Sequence, residues 1–355
     1  MPVAAPAPPL TLPLSIHNDY PLDRLNTFGV RARGRYYVKV THPAQVAELV
    51  AKRPFQENPR FMLGGGSNIL FRGDYPGLII HVAIDYISIA SIDPEYYFVE
   101  AGAGVDWHDF VLYAVQRGWA GIENLALIPG TVGGAPIQNI GAYGAEVADC
   151  IERVNAYDFF EDEFVVFTNA ECRFGYRDSV FKHPDNRSRY CVTSVVFRLQ
   201  RTKNPRLRLD YPALKDALHE RKIYEPTLGD VCETVIAIRQ SKLPDPYLLG
   251  NTGSFFKNPV VDVAQAEALL KAHPTAPNYP KRDGSGVKIP AAWLIEQCGW
   301  KGKRLGPVGT YDKHALVLVN HGGATGADVL KVAEAIEADV EAKFGIELER
   351  EVQVV

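Results

Sequence analysis

The chain has 355 residues, 46% of them hydrophobic and 23% charged, and a formal net charge of −4. This length leaves room for two or three domains with a well-buried core, and the composition is that of an ordinary soluble globular protein. The negative balance excludes wholesale binding to nucleic acid but leaves open a local basic cleft for a small anion. From the start, residues 1–13 are rich in Ala and Pro, with no Lys or Arg before Arg24. The prolines break any apolar helix, so a disordered tail over residues 1–16 is expected, not a signal peptide. Residues 36–40 read as a strand, and residues 43–52 as a helix with Val46, Leu49 and Val50 on one face. Phe61-Met62-Leu63 is a short apolar strand running into three glycines, and residues 78–82 form another strand.

A second region opens with a strand at residues 97–101. The helix expected over residues 106–117 turns Trp107, Phe110, Val111, Ala114 and Val115 inward and stops at Gly118. Residues 129–144 form a Gly/Pro/Asn-rich loop too long for a simple connection. Strands follow at residues 153–158, 163–168 and 189–199, and the polar, basic stretch 203–208 suggests a domain junction. Thr227 and Asp230 make a capping box for a helix through Val231, Val235 and Ile238 that Pro244 stops. Pro290 and Gly299 frame a short helix. A last helix starts near Thr325 and Asp328, carries Val329, Val332, Ile336, Val340 and Phe344, and ends at Gly345, before a final strand over residues 347–355. No apolar run is long enough to span a bilayer. The five cysteines are scattered without a C-x-x-C pair, so neither zinc site nor disulfide framework is implied, and reduced thiols in a cytoplasmic protein are the simplest reading. No metal is expected, and nothing demands more than a monomer.

Two glycine-rich loops carry the first functional signal. In Gly64-Gly65-Gly66-Ser67-Asn68, successive glycines let backbone N–H groups turn toward one anion because no Cβ blocks the approach. Ser67 and Asn68 add side-chain hydrogen bonds. Alone, such a run is as often a tight turn. The second loop, residues 129–144, weakens that bland reading, since two loops of this kind suit a long dinucleotide gripped at its diphosphate and its ring. Neither is a G-x-G-x-x-G opening a helix, and no G-x-x-x-x-G-K-[ST] occurs, so Rossmann and P-loop sites are not supported. A nicotinamide coenzyme has no dedicated fingerprint.

Two further segments point to chemistry. Residues 250–259 set a lone Ser254 between a glycine turn and two aromatics, with Lys257 and Asn258 close behind. No G-x-S-x-G elbow surrounds it, so acyl transfer is not indicated. A serine placed this way suits giving a proton to a carbon that has just become basic, although a random serine most often serves a turn or cap. In Gly175-Tyr176-Arg177-Asp178-Ser179-Val180-Phe181-Lys182, Arg177 can grip a carboxylate through two bonds. An isolated arginine would more often make a surface ion pair, here with Asp178.

Asn26-Thr27-Phe28, residues 63–70, 123–130, 138–144, 175–182 and 250–259, and Leu348-Glu349-Arg350-Glu351-Val352 resemble, in order, the UDP-N-acetylenolpyruvoylglucosamine reductase family. The resemblance runs from about Asn26 to the C-terminus. It implies an α+β chain with a two-subdomain FAD-binding fold of the vanillyl-alcohol-oxidase type and a C-terminal α/β substrate-binding domain. The implied parts are residues 17–88, joined by the strand 346–355, then residues 89–202, then residues 203–345 with a lid segment at 203–226. It implies non-covalent FAD held by Gly64, Gly65, Gly66, Ser67, Asn68, Pro129, Gly130, Gly133, Gly134, Ala135, Asn139, Gly141, Ala142 and Tyr143. NADPH would be the electron donor and a nucleotide sugar the substrate, for peptidoglycan synthesis in the cytoplasm.

The family substrate is an enolpyruvyl ether whose double bond is conjugated with a carboxylate. Its reduction requires charge stabilisation at the carboxylate and a proton at the α-carbon. The resemblance assigns the first to Arg177 and Glu351 and the second to Ser254. Lys242 and Arg239 are expected at the substrate diphosphate, Tyr176 and Asn258 near the sugar, and Tyr211 in the lid. The lid motif departs from the family's Tyr-Gly form. His314 sits where the family varies and reads as core or rim. The alternatives are a flavin oxidase of a small alcohol or sugar, which would have no need of Ser254, and a non-catalytic binding protein, which would tolerate loss of all three catalytic side chains.

Overall fold

The computed structural model describes residues 13–202, 204–281 and 284–355. The expected disordered tail lies outside the described residues as far as residue 12, and so does Lys203 in the expected lid. The tail does not reach residue 16. Ile16–Pro21 forms a strand, β1, while Leu14 and Ile16 pack against the core. The polar sequence of β1 carries no apolar alternation; antiparallel pairing with β2 (Arg33–Val40) makes it a strand. The helices α1 (Pro43–Val50) and α2 (Arg53–Glu57) lead to β3 (Arg60–Leu63), the two-residue β4 (Ile69–Leu70) and β5 (Tyr75–Val82). The first sheet has the order β1-β2-β5-β3, with β2 and β3 both parallel to β5.

A second, wholly antiparallel sheet follows. It contains β6 (Ile87–Ile92), β7 (Tyr96–Gly102), β10 (Ile151–Asp158), β11 (Glu163–Thr168) and β12 (Tyr190–Gln200), in the order β11-β10-β12-β7-β6. Between β7 and β10 lie helix α3 (Trp107–Gln116) and the hairpin of β8 (Gly141–Ala142) with β9 (Ala145–Glu146). The Asp106 side chain caps α3, and Trp107, Phe110 and Phe197 cluster with ring centroids 4.8 to 6.0 Å apart. Helices α4 (Pro212–Glu220) and α5 (Leu228–Lys242) bury Leu214, Leu218, Val231, Val235 and Ile238 in this same core.

The rest of the chain builds a second core. It contains β13 (Gly250–Ser254), β14 (Val260–Val261), α6 (Val263–Ala272), β15 (Tyr279–Pro280), β16 (Val287–Lys288), α7 (Ala291–Gln297), β17 (Arg304–Leu305), β18 (Val308–Thr310), β19 (Val317–Asn320), α8 (Gly326–Phe344) and β20 (Gln353–Val354). One sheet runs β13-β19-β18-β17 and a smaller one β14-β16-β15. Phe255, Phe256, Ile295, Val329, Ile336 and Val352 pack here with Phe28, Leu63, Leu70 and Ile79 from the first sheet region. The long terminal strand expected at 347–355 shrinks to β20, which pairs parallel with β4, and a single bridge between Phe256 and Arg350.

Candidate active site

The two glycine loops meet. A Cβ on Gly65 would lie 3.0 Å from the Gly130 Cα, and one on Gly64 2.7 Å from Thr131 Oγ1, so side chains are excluded where the loops touch. Gly66 takes φ +65° with the Leu25 carbonyl behind it, a conformation and a space only glycine fits. Ser67 Oγ donates to the Pro129 carbonyl at 3.0 Å, tying one loop to the other. The backbone N–H groups of Gly65, Gly66 and Ser67 make no hydrogen bond to any described residue. Gly134 faces open space. Free N–H donors beside a side-chain-free gap fit the diphosphate of a dinucleotide such as FAD.

Asn68 links this cradle to the far end of the chain. Its Nδ2 donates to Gln138 Oε1 at 2.6 Å and to the Glu351 carbonyl at 3.2 Å, and its carbonyl accepts from Gln353 N at 3.1 Å. The Glu351 side chain faces Arg177, with Arg177 Nε 3.0 Å from Glu351 Oε1, and both side chains are largely buried. Arg177 Nη2 donates to the Gly141 carbonyl at 2.7 Å and Nη1 to the Asn139 carbonyl at 3.4 Å. The guanidinium is thus aimed by the second glycine loop. Burial pushes the Glu351 carboxyl above the usual carboxylate range, and the charges of Arg177, Lys182 and Lys257 only partly oppose it.

Ser254 ends β13, opposite Val317 across a bulge that Gly253 opens at φ +69°. The next carbonyl, that of Phe255, accepts from Glu351 N at 2.9 Å, so Ser254 lies one residue from the Arg177–Glu351 pair. Ser254 is half-buried, and its hydroxyl makes no hydrogen bond to a described residue. Thr252 Oγ1 nearby is buried without a partner.

The expected substrate residues border this centre unevenly. Tyr176 is exposed, with the Arg177 guanidinium 5.4 Å and the Lys288 ammonium 5.3 Å from its ring centre. Tyr211 packs edge-on against Tyr143 at 5.4 Å. Asn258 Oδ1 accepts from Ala291 N at 2.9 Å and so also holds the start of α7. Lys242 is exposed on the last turn of α5. Arg239 Nε, on that same turn, donates to the Leu127 carbonyl at 3.2 Å, a backbone contact its motif did not foretell. His314 leaves Nδ1 buried without a partner, and burial lowers its pKa.

Four non-glycine residues here take left-handed backbone: Leu127 (φ 57°), Asn139 (φ 45°), Tyr143 (φ 47°) and Arg177 (φ 54°). Two of the residues that hold them, Asn124 and Glu146, are not among the sequence candidates. Asn124 donates to the carbonyls of Tyr143 and Arg208, each at 2.9 Å. Glu146 accepts from Asn139 Nδ2 at 2.9 Å. Asn124 lay within a recognised motif, whereas Glu146 carried no signal because its partner is set by a hairpin too short to read from periodicity.

Residues 35–161 match the model of an FAD binding domain, and residues 245–355 match the C-terminal domain of UDP-N-acetylenolpyruvoylglucosamine reductase. With the cradle above, the first match defines an FAD-binding oxidoreductase of mixed α and β structure. A UDP-N-acetylenolpyruvoylglucosamine reductase from Dechloromonas aromatica is 51% identical over 331 residues, 92% of this chain and 96% of that one. One from Azoarcus sp. (strain BH72) is 50% identical over 96% of this chain and 97% of its own, and one from Chromobacterium violaceum 49% identical over 95% and 98%. The chain belongs to the UDP-N-acetylenolpyruvoylglucosamine reductase family. A crystal structure of the Thermus caldophilus enzyme shares the fold, with a TM-score of 0.64 at 24% identity over 96% of this chain and 98% of that one.

Proposed function

We propose that this chain reduces the enolpyruvyl ether of UDP-N-acetylglucosamine to UDP-N-acetylmuramate for peptidoglycan synthesis. NADPH is the electron source, Ser254 the proton donor, and Arg177 and Glu351 the groups that hold the reacting carboxylate. When bound and reduced, FAD supplies a hydride to the terminal carbon of the double bond. Negative charge then builds on the α-carbon and the carboxylate. The Arg177 guanidinium, held by the Gly141 and Asn139 carbonyls, meets that charge preorganised, which is where electrostatic catalysis gains most. Glu351, whose carboxyl burial shifts toward the protonated form, donates in that form a hydrogen bond to the same carboxylate. Ser254 gives its proton to the α-carbon and regains one from water. A hydroxyl is a weak acid, but the acceptor is a strong base, so range and alignment matter more than pKa.

The observation that carries this reading is the chain of contacts around Glu351. Its side chain pairs with Arg177, while its amide bonds to the residue after Ser254. As part of the same reading, the phosphates and sugar meet Lys242, Arg239, Tyr176 and Asn258 under the Tyr211 lid, and the enzyme acts as a cytoplasmic monomer. Anaerobic stopped-flow spectroscopy tests it. Ser254→Ala should accept electrons from NADPH at nearly the wild-type rate and reoxidise with the enolpyruvyl substrate several orders of magnitude more slowly. Equal losses in both half-reactions would remove Ser254 as the proton donor.

A further inference from the structure

Three of the left-handed residues at the site share a feature: a side chain from elsewhere donates to their carbonyl. Arg239 Nε reaches Leu127 O at 3.2 Å, Asn124 Nδ2 reaches Tyr143 O at 2.9 Å, and Lys182 Nζ reaches Arg177 O at 2.9 Å. A residue with a Cβ occupies this region at a cost and stays there only where its surroundings over-determine it.

Lys182 is the telling member. It follows the buried Phe181 in a short helical turn, so its stem is anchored, and it is itself half-buried. A partly buried ammonium normally has a carboxylate partner. Among the described residues Lys182 forms no ion pair, and the one hydrogen bond of its ammonium goes to the Arg177 carbonyl. The turn around Arg177 is otherwise closed by the two backbone bonds between Gly175 and Asp178, 3.0 and 3.2 Å long. Those bonds flank Arg177 and leave its own carbonyl to Lys182.

We propose that Lys182 is a positioning residue for the reduction: its ammonium holds Arg177 in the left-handed conformation that aims the guanidinium at Glu351 and at the reacting carboxylate. This inference rests on the role given to Arg177 above. Loss of the bond lets the turn relax and the guanidinium drift, and a displacement of about 1 Å costs on the order of 100-fold in rate.

A double-mutant cycle on the flavin-loaded enzyme tests it, with reoxidation by the enolpyruvyl substrate and reduction by NADPH both followed. Lys182→Met should slow reoxidation roughly 10- to 100-fold, with reduction and flavin content kept, and Lys182→Arg should restore most of the rate. Because Lys182 acts through Arg177, Lys182→Met added to Arg177→Met should cost nothing further. Multiplied losses in the double variant, or a Lys182→Met enzyme as fast as the wild type, would overturn the inference while leaving the role of Arg177 standing. An Arg177→Met enzyme of wild-type speed would overturn that role, and this inference with it. If Lys182→Met fails to hold flavin, the cycle is run with Lys182→Gln and judged by the same non-additivity.

Discussion

Arg177 Nε lies 3.0 Å from Glu351 Oε1, across 174 residues of sequence. The pair is largely buried, and burial raises the Glu351 pKa in spite of the adjacent guanidinium. A second carboxylate arriving on Arg177 repels charge on Glu351 and favours its protonated form further.

That relationship gives a pH dependence with a definite sign. In the proposed reduction the protonated form of Glu351 is the competent one, so reoxidation by substrate should be fastest below its raised pKa and fall as pH rises through it. Arg177, Lys182 and Lys257 face the carboxyl and work against the rise. Glu351→Gln, neutral at every pH, should lose this limb of the profile. Stability follows the same sign: a raised folded-state pKa contributes stability below the unfolded value of about 4.3, and that contribution is lost as pH climbs through the folded value. The melting temperature of Glu351→Gln should therefore gain on the wild type as pH increases, which a thermal series at several pH values measures.

Arg177→Lys keeps the charge but not the fork that bonds Glu351, Gly141 and Asn139 together. We expect kcat to fall roughly 100- to 1,000-fold with flavin content unchanged, the usual cost of one preorganised donor. Steady-state kinetics with absorbance-based flavin quantification checks this. A lysine enzyme within threefold of wild type would remove the bidentate role.

The glycine cradle separates folding from cofactor binding. Gly66→Ala sets a Cβ 2.0 Å from the Leu25 carbonyl at φ +65°, so the loop itself must shift, and both melting temperature and FAD affinity should drop. Gly134→Ala meets nothing within 4 Å. Its melting temperature without flavin should stay within a degree or two of wild type, while flavin titration reads whether the new methyl group enters the cofactor's space.

Tyr211→Ala removes an edge-on contact with Tyr143. Such aromatic pairs contribute about 0.5–1.5 kcal/mol, so KM for the nucleotide sugar should rise roughly two- to tenfold. Reduction of the flavin by NADPH should be little changed. A loss confined to kcat would place Tyr211 in the chemistry instead of the lid.

Much of the scaffold was legible in the sequence because its signals are local. The capping boxes at Thr227/Asp230 and Thr325/Asp328 mark the observed starts of α5 and α8, and Gly345 adopts the left-handed stop. The strand expected at residues 163–168 is β11. Elements held by distant partners were not legible: β1 is polar and exists through β2, and most of the expected strand 347–355 is extended chain with little ladder pairing. Helices α4 and α6 were missed because each is short and half-exposed, with only two residues fully buried. At the site, the family motifs named Arg177, Ser254 and Glu351. The clamps by Lys182, Asn124 and Arg239 depend on backbone turned left-handed, which no residue pattern here announced.

The second hydrophobic core has a practical consequence. It interleaves Phe28, Leu63 and Ile79 with Phe255, Ile336 and Val352, and Asn320 Nδ2 reaches back 292 residues to the Phe28 carbonyl at 2.9 Å. A fragment cut to the matched FAD-binding stretch, residues 35–161, would strip Leu63 and Ile79 of their partners in that interior and lose Arg177 and Glu351 together. Expression of such an excised piece should yield aggregate in place of a yellow protein, since its apolar face would be left without cover.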